Sequence, residues 1–160
     1  MKFSSYEDVE APVAFVFDAV TDIAGFERAA LRRGVDLKRL DALTVPGPGM
    51  SWDVAFRFRG KKRKLIADII RLEHPEQIEF SAVSTSFDLT LKASTMALSR
   101  RRTRLTIALE LRPRSLGARL MLQSAKLGRG NLKHKFADRV RIFSQDIETR
   151  AAVSAPSTGA

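Results

Sequence analysis

Residues 51–59 read "SWDVAFRFR", and apolar and polar side chains alternate along this stretch. The apolar positions are Trp52, Val54, Phe56 and Phe58. Aspartate and arginine fill most of the positions between them. A period of two places successive side chains on opposite faces of a β-strand. The stretch therefore predicts a strand with one apolar face that packs against a core.

The sequence that follows repeats this pattern in four further segments. They are "LIADIIRL" (65–72), "QIEFSAVS" (77–84), "FDLTLKASTMALS" (87–99) and "TRLTIALELR" (103–112). Short polar sequences, "KKRK", "EHPE" and "RRR", separate several of them and are predicted to form turns. Before residue 51, "VDLKRLDAL" (35–43) alternates less regularly. The order predicts an antiparallel meander with one apolar face.

The two turns "KKRK" and "EHPE" also predict a register. We expect residue 58 to pair with residue 65, and residue 71 with residue 78. This pairing places Leu65, Ala67 and Ile69 on the face of Phe56 and Phe80. A slip of one residue would carry Asp68 into the core instead, because a single step reverses the two faces of a strand.

The first thirty residues predict an edge strand followed by two short helices. In "EDVEAPVAFVFDAVTDIAGF" (7–26), the strand ends at Ala11 and Pro12, and proline suits a first helical turn because it has no N–H to leave unpaired. Apolar residues then recur at helical spacing up to Val20. Asp22 is the expected N-cap of a second helix, and Gly34 is its expected C-cap.

After Pro113 the sequence predicts a long helix from Ser115, a plausible N-cap, to about Arg150. Its apolar residues at helical spacing are Leu116, Leu120, Leu132, Phe136, Val140, Phe143 and Ile147. Gly128 and Gly130 weaken the middle, so we expect the helix to bend or fray there. We expect one domain over residues 1–150 and a disordered tail at residues 151–160.

Composition excludes several kinds of site. The 160 residues contain no cysteine, so this sequence has no disulfide, thiolate nucleophile or cysteine metal ligand. The two histidines, His74 and His134, lie far apart, and we expect neither a metal site nor a cofactor. The first residues lack the apolar core of a signal peptide. No apolar run approaches the roughly 18 residues of a membrane span, and we expect a cytoplasmic location.

The net charge of +10 is unevenly distributed along the chain. Residues 1–56 hold six Lys or Arg and nine Asp or Glu, whereas residues 57–160 hold 22 and nine. Such asymmetry is typical of a surface that meets anions, although a solvated basic face is the simpler interpretation. The aromatic residues alternate inward rather than interleaving with the basic ones, which disfavours nucleic-acid binding.

The order of elements resembles the helix-grip fold of the START-like superfamily, also called SRPBCC. The residues that carry the resemblance are "VEAPVAFVFDAVTDIAGF", "GMSWDVAFRFRGKKRKLIADI", "PEQIEF", "TRLTIALELRPRSL" and the terminal helix to "FSQDIE". The resemblance implies an α+β fold in which a curved antiparallel sheet of about seven strands wraps on a long C-terminal helix. It also implies an apolar cavity between sheet and helix.

Both the sheet and the helix contribute candidate cavity residues. Those on the sheet are Trp52, Val54, Phe56, Phe58, Ile69, Phe80, Leu89, Leu91, Leu105, Ile107 and Leu109. Those on the helix are Met121, Ala125, Leu132 and Phe136. The same side chains could instead form a filled core. Basic residues expected at one end of the sheet form a candidate anion-attracting rim: Lys61, Lys62, Arg63, Lys64, Arg112, Arg114 and Arg119.

The resemblance implies that a hydrophobic or amphipathic small molecule is the partner, bound in this cavity. The first alternative is an enzyme of the polyketide cyclase/dehydrase type, for which the sequence offers no catalytic motif. The second is a basic adaptor that docks on an acidic membrane or on an acidic partner surface.

Overall fold

The computed structural model describes residues 1–154, which form seven strands and four helices. The elements in chain order are β1 (Lys2–Val9), α1 (Val13–Val20), α2 (Ile23–Arg32), β2 (Asp36–Arg39), β3 (Ser51–Phe58), β4 (Lys61–Glu73), β5 (Gln77–Val83), β6 (Phe87–Ser99), β7 (Arg102–Pro113), α3 (Leu116–Lys126) and α4 (Arg129–Ser154).

All seven strands belong to one antiparallel sheet with the order β1-β7-β6-β5-β4-β3-β2. Strands β2 to β7 therefore form the expected meander, and β1 is an edge strand beside β7. The predicted helix-grip architecture is confirmed, with two short helices after the first strand and a long helix at the C-terminus.

The turn between β3 and β4 is shorter than "KKRK" suggested. Phe58 pairs with Lys61, so the turn consists of Arg59 and Gly60, both with positive φ. Glycine adopts this conformation readily, and such two-residue turns match the twist of a hairpin. The predicted 58–65 pairing is wrong, and residues 61–64 begin β4. Because the observed register is shifted from the predicted one by an even number of residues, Leu65 still lies on the same face as Phe56.

A β-bulge interrupts the pairing of β4 with β5. Ile69 pairs with Phe80 as the inner register predicted, but Arg71 then pairs with Glu79, one residue away from the predicted 71–78 pairing. The extra residue is Ile70, which is exposed. A bulge of this kind reverses the faces beyond it. As a result Arg71 lies at the surface and Leu72 packs against the core.

Helices α1 and α2 close one end of the sheet. Helix α1 buries Val16 and Phe17, and the Phe17 ring meets the His74 ring edge-on, with centroids 4.9 Å apart. His74 lies in the β4–β5 turn, so α1 covers the end opposite to the β3–β4 hairpin. Asp22 caps α2 as predicted, accepting a hydrogen bond from the Gly25 N–H at 3.1 Å.

The C-terminal region bends where the glycines predicted it. Helix α3 ends at Lys126, α4 begins at Arg129, and Ser115 caps α3 by accepting from the Ala118 N–H at 3.1 Å. Helix α4 packs mainly on β1 and extends to Ser154, past the expected end at residue 150. The rest of the expected tail, residues 155–160, lies outside the described residues.

The core joins the concave face of the sheet to α1 and α4. Its most deeply buried side chains include Val9, Val16, Phe17, Ile69, Ile78, Leu105 and Ile147. The helical stripe predicted from the sequence divides at the bend. Val140 and Ile147 of α4 are buried, whereas Leu116 and Leu120 of α3 are exposed.

Candidate ligand-binding cavities

The concave face of the sheet encloses two cavities. The first has a volume of about 320 Å³ and lies between α2, the sheet and α4. Its lining residues are Val20, Ile23, Phe26, Glu27, Ala30, Leu37, Trp52, Val54, Ala67, Phe80, Leu91, Ala93, Ile107 and Phe143. Of these described residues, only Glu27 carries an ionisable side chain.

Glu27 is held by the one indole of the chain. Trp52 donates its Nε1–H to Oε2 of Glu27 over 3.3 Å. Over the face of the same ring, the Arg39 guanidinium carbon lies 5.5 Å from the Trp52 centroid, in cation–π range. Arg39 also donates two hydrogen bonds to Asp41, at 2.7 and 3.0 Å. These contacts fix the position of Trp52 in the cavity wall.

Asp41 anchors the loop between β2 and β3. Its carboxylate accepts from Arg39 and also from the backbone N–H groups of Leu43 and Ser51, each at 2.8 Å. The guanidinium lowers the pKa of Asp41 well below its ordinary value, and the two backbone donors lower it further. The loop beside the first cavity is thus held by an ionised carboxylate at neutral pH.

The second cavity has a volume of about 520 Å³ and lies nearer the β3–β4 hairpin, the β5–β6 loop and α3. Its lining residues are Phe56, Phe58, Lys62, Arg63, Lys64, Leu65, Ala82, Ser84, Thr85, Ser86, Phe87, Leu89, Leu111 and Met121. None of these described residues carries a carboxylate, so the formal charge of the lining is entirely positive.

Arg63 differs from the lysines beside it. It is the cross-strand partner of Phe56, and it shares a face of β4 with Leu65, two residues further on. Both relations place Arg63 on the concave face of the sheet. Its Nε atom is buried and has no hydrogen-bond partner among the described residues. Lys62 and Lys64 are exposed and alternate toward the other face. Arg63 is therefore a cation within an otherwise largely apolar wall.

The two cavities adjoin across the sheet. Val54 lines the first and is the direct cross-strand partner of Leu65, which lines the second. In the same way Ala67 in the first pairs with Ala82 in the second. Directly opposed residues have Cβ atoms about 4.5–5.5 Å apart. One elongated molecule could therefore contact both linings.

The cavity residues predicted from the sequence fall into four groups. Those in the first cavity are Trp52, Val54, Phe80, Leu91 and Ile107. Those in the second are Phe56, Phe58, Leu89 and Met121. Ile69 and Leu105 are in the solid core. The remaining four, Leu109, Ala125, Leu132 and Phe136, line neither cavity.

The location of these last residues has a simple cause. Leu109 pairs with Phe3 of the edge strand, and the Phe3 ring lies 5.8 Å from the ring of Phe136. Helix α4 thus covers β1 at this point rather than the centre of the sheet. Leu132 is exposed, close to the bend between the two helices.

The predicted basic rim is gathered at one end of the sheet. The β3–β4 hairpin, the β5–β6 loop and the end of β7 all lie there, since Val83 pairs with Ile66 and Phe87 pairs with Pro113. Lys62, Arg63 and Lys64 line the second cavity, and Lys61 is exposed beside them.

The other rim residues do not line the cavity. Arg112 donates to Glu110 at 2.8 Å, and Arg114 donates to the Ser84 carbonyl at 2.6 Å. Arg119 is exposed on α3. The Arg112 guanidinium also lowers the pKa of Glu110. The rim thus contains a partly neutralised outer group and an inner group at the cavity border, of which Arg63 alone lies on the concave face.

The sequence interpretation missed the contribution of α2. Ile23, Phe26, Glu27 and Ala30 all line the first cavity, and they follow the i, i+3, i+4, i+7 spacing of one helical face. The carboxylate of Glu27 on this otherwise apolar helical face was the signal in the sequence that could have indicated a cavity wall. The β5–β6 loop, residues 84–86, gave no comparable pattern.

Residues 1–154 show neither a metal-binding cluster nor a membrane-spanning helix. Within them, no group of three or more His, Cys, Asp or Glu side chains is arranged to hold a metal ion. None of the helices in this range combines the length and the hydropathy needed to cross a bilayer.

Comparison with known proteins identifies the fold. No protein-family model matches the sequence, and no curated protein matches it significantly. Solved structures do match. The Zhui aromatase/cyclase from Streptomyces sp. R1128 is 15% identical, with a TM-score of 0.66 over 100% of this chain and 99% of that one.

Two other solved structures agree. A protein from Thermus thermophilus is 14% identical, with a TM-score of 0.63 over 97% of this chain and 100% of that one. A START superfamily protein from Mycobacterium smegmatis is 16% identical, with a TM-score of 0.59 over 96% and 99%. At these identities the likeness shows the fold alone, and the chain has the START-like helix-grip fold.

Proposed function

We propose that this protein binds a hydrophobic or amphipathic small molecule in the two adjoining cavities. The observation that carries the proposal is the first cavity, a preformed concave space whose described lining is apolar apart from Glu27 and the indole N–H of Trp52. Small-molecule sites are typically concave, mostly apolar and about 300–1,000 Å³ in volume. Both cavities lie within that range.

The structural neighbours support a ligand-binding role and also raise an enzymatic one. The Zhui protein is named an aromatase/cyclase, so an enzyme of the polyketide cyclase/dehydrase type is the alternative. Acid–base catalysis needs a titratable group within hydrogen-bond reach of the reacting atom, and usually a second group that takes the opposite role. Among the described residues of the first cavity, Glu27 has no second titratable group beside it. This favours ligand binding over acid–base catalysis.

The experiment is a titration with N-phenyl-1-naphthylamine, an uncharged fluorescent probe for apolar cavities. Ala93 lines the first cavity and Ala82 the second. Ala93→Phe and Ala82→Phe should each lower probe affinity by filling space, although overpacking costs roughly 1–3 kcal/mol of stability. Ala55→Phe is the matched control, because Ala55 lies on the opposite face of β3 from the cavities. If the parent does not bind the probe, or all three variants bind it equally, the proposal is wrong.

A specific observation favours a second function, docking on an acidic membrane. Three leucines in α3 and directly after it are exposed: Leu116 by 72%, Leu120 by 56% and Leu127 by 94%. Arg119 and Lys126 lie between them in the sequence, and Arg129 follows at the start of α4. Amphipathic helices with basic and apolar residues bind anionic membrane surfaces. Met121 of the same helix lines the second cavity, so docking would place the membrane beside that cavity.

A further inference from the structure

The second cavity contains a cation that the protein itself does not neutralise. Arg63 lies on the concave face, opposite Phe56, and its Nε is buried without a hydrogen-bond partner among the described residues. Other inward or half-buried arginines are paired. Arg39 is bound by Asp41, and Arg104 donates to Asp8 at 2.8 and 3.2 Å. No ion pair formed by the described residues includes Arg63.

Arg63 is half-buried, and its covered Nε has no acceptor among the described residues, which is unfavourable in the empty protein. Arginine stays ionised under all ordinary conditions, so it cannot escape the cost by losing a proton. A buried donor without an acceptor loses its hydration and receives nothing in exchange. The described lining offers no carboxylate that could approach it, and the charged neighbours Lys62 and Lys64 are also cations. No acceptor within residues 1–154 meets the Arg63 Nε, so a bound molecule can supply one.

We propose that Arg63 binds the anionic head of an amphipathic ligand, a carboxylate or a phosphate-type oxyanion. This inference rests on the proposed function and names the class of ligand. The planar guanidinium matches such oxyanions with two parallel hydrogen bonds. Phe56 and Leu65 flank Arg63 on the same face and would contact the apolar part of the ligand next to its head.

The adjoining cavities fit the remainder of such a molecule. Leu65 is the cross-strand partner of Val54, so an apolar chain that begins at Arg63 and runs along this face would meet the lining of the first cavity next. Lys62 and Lys64 lie at the exposed side of the second cavity, where positive charge raises the rate of encounter with an anion. The lysines attract the ligand, whereas Arg63 contacts it.

Two probes that share one aromatic body test the inference. 8-Anilinonaphthalene-1-sulfonate carries a sulfonate, and N-phenyl-1-naphthylamine is the same body without it. Arg63→Met should weaken binding of the sulfonate about 10-fold to 100-fold, the range expected when charge-assisted hydrogen bonds are lost. It should leave the affinity for the uncharged probe nearly unchanged. Arg63→Lys, which keeps the charge without the planar fork, should give an intermediate loss.

Arg57→Met is the matched control for net charge. Arg57 is exposed on the neighbouring strand and faces away from the cavities. Its replacement removes the same unit of charge from the same end of the sheet. Because Arg57 does not contact the cavities, the affinity for either probe should not change. Equal loss of sulfonate binding in Arg57→Met and Arg63→Met would overturn the inference, because general electrostatics would then explain the result.

A thermal melt separates this role from a structural one. In the ligand-free protein, Arg63→Met should raise the melting temperature slightly, because a half-buried cation with one unpaired covered nitrogen is replaced by an apolar side chain of similar length. Saturating sulfonate should stabilise the parent by mass action but not the variant. An arginine needed for the fold would behave in the opposite way, and a lower melting temperature in Arg63→Met would count against the inference.

Displacement of the sulfonate probe by dodecanoate, dodecyl phosphate and dodecanol identifies the head group. Dodecanoate or dodecyl phosphate should compete at least 10-fold better than dodecanol with the parent, and this advantage should disappear in Arg63→Met. If the uncharged probe binds but anions have no advantage, the inference fails and the proposed function stands. If neither probe binds, both fail.

Discussion

Trp52 and Glu27 join β3 to α2 across the wall of the first cavity, through a hydrogen bond of 3.3 Å. Both side chains line that cavity, and Trp52 is the only tryptophan in the chain. The intrinsic fluorescence of the protein therefore reports on this one position. That relationship gives a direct way to locate a bound molecule.

We expect N-phenyl-1-naphthylamine to quench Trp52 emission by energy transfer as it fills the first cavity. Ala93→Phe should abolish the quenching, because Ala93 lines the same space. The measurement is tryptophan emission during the titration, with Ala55→Phe as the control. Probe binding without any change in Trp52 emission would place the ligand away from this cavity.

Core and cavity side chains should respond differently to truncation. Leu105 is fully buried, so Leu105→Ala should lower the free energy of unfolding by about 2–5 kcal/mol. Phe56 is only half-buried and lines the second cavity, so Phe56→Ala should cost less than a core phenylalanine would, below about 3 kcal/mol. Urea denaturation of both variants measures the difference. An equal or larger loss for Phe56→Ala would mean that this cavity is filled.

Stability should fall in acid through two aspartates. The pKa of Asp41 is lowered chiefly by Arg39, and that of Asp8 chiefly by Arg104. A carboxyl whose folded pKa lies below its unfolded value stabilises the fold above the unfolded pKa, and loses this contribution as pH falls toward the folded one. The loss should therefore begin near pH 4, the ordinary aspartate range.

The measurement is the melting temperature between pH 7 and pH 2 for the parent, Asp41→Asn and Asp8→Asn. Each variant should be less stable than the parent at pH 7, and the curves should converge as the pH falls. Curves that stay parallel over the whole range would show that the ion pairs do not cause the acid sensitivity.

Membrane docking should depend on the exposed leucines of α3. Replacing Leu116, Leu120 and Leu127 together with serine should abolish sedimentation with vesicles rich in phosphatidylserine, because the apolar contact is lost. The matched control replaces three exposed leucines elsewhere, Leu31, Leu40 and Leu98. Equal binding by both triple variants, or no binding by the parent at low salt, contradicts the docking proposal.

The basic hairpin should contribute to docking separately from ligand binding. Reversing Lys61, Lys62 and Lys64 to glutamate should weaken vesicle binding, since each basic residue near an acidic surface is worth about 1 kcal/mol. The effect should shrink at high salt, because added ions shorten the screening length from its value of about 8 Å at physiological ionic strength. Arg63 stays unchanged in this variant because it faces the cavity. Vesicle binding that does not depend on these lysines or on salt would exclude an electrostatic contribution.

Much of the fold follows from local sequence patterns. Alternation along residues 51–59 and in the segments after it predicted the meander, because successive side chains of a strand point to opposite faces of the sheet. Asp22 and Ser115 predicted helix starts, because their side chains accept hydrogen bonds from the free N–H groups of a first turn. These signals act between neighbours in the chain, and the structure confirms them.

The site depended on relations that no local pattern contains. The sequence predicts a turn at residues 61–64, whereas a two-residue turn at Arg59 and Gly60 makes those residues part of a strand. Only that register, together with the packing of α3 and the β5–β6 loop, separates Arg63 from the lysines and half-buries it beside Phe56, with its Nε covered.

Which apolar residues line a cavity and which form the core also depends on tertiary packing. Leu105 and Ile107 alternate onto one face of β7 and look equivalent in the sequence. Leu105 is fully buried, whereas Ile107 lines the first cavity. Local patterns therefore suffice for most of each strand, for the helix caps at Asp22 and Ser115 and for the apolar face of the sheet. Where that face is filled and where it stays open follows from the packing of the folded chain, because it depends on which helix lies over each residue.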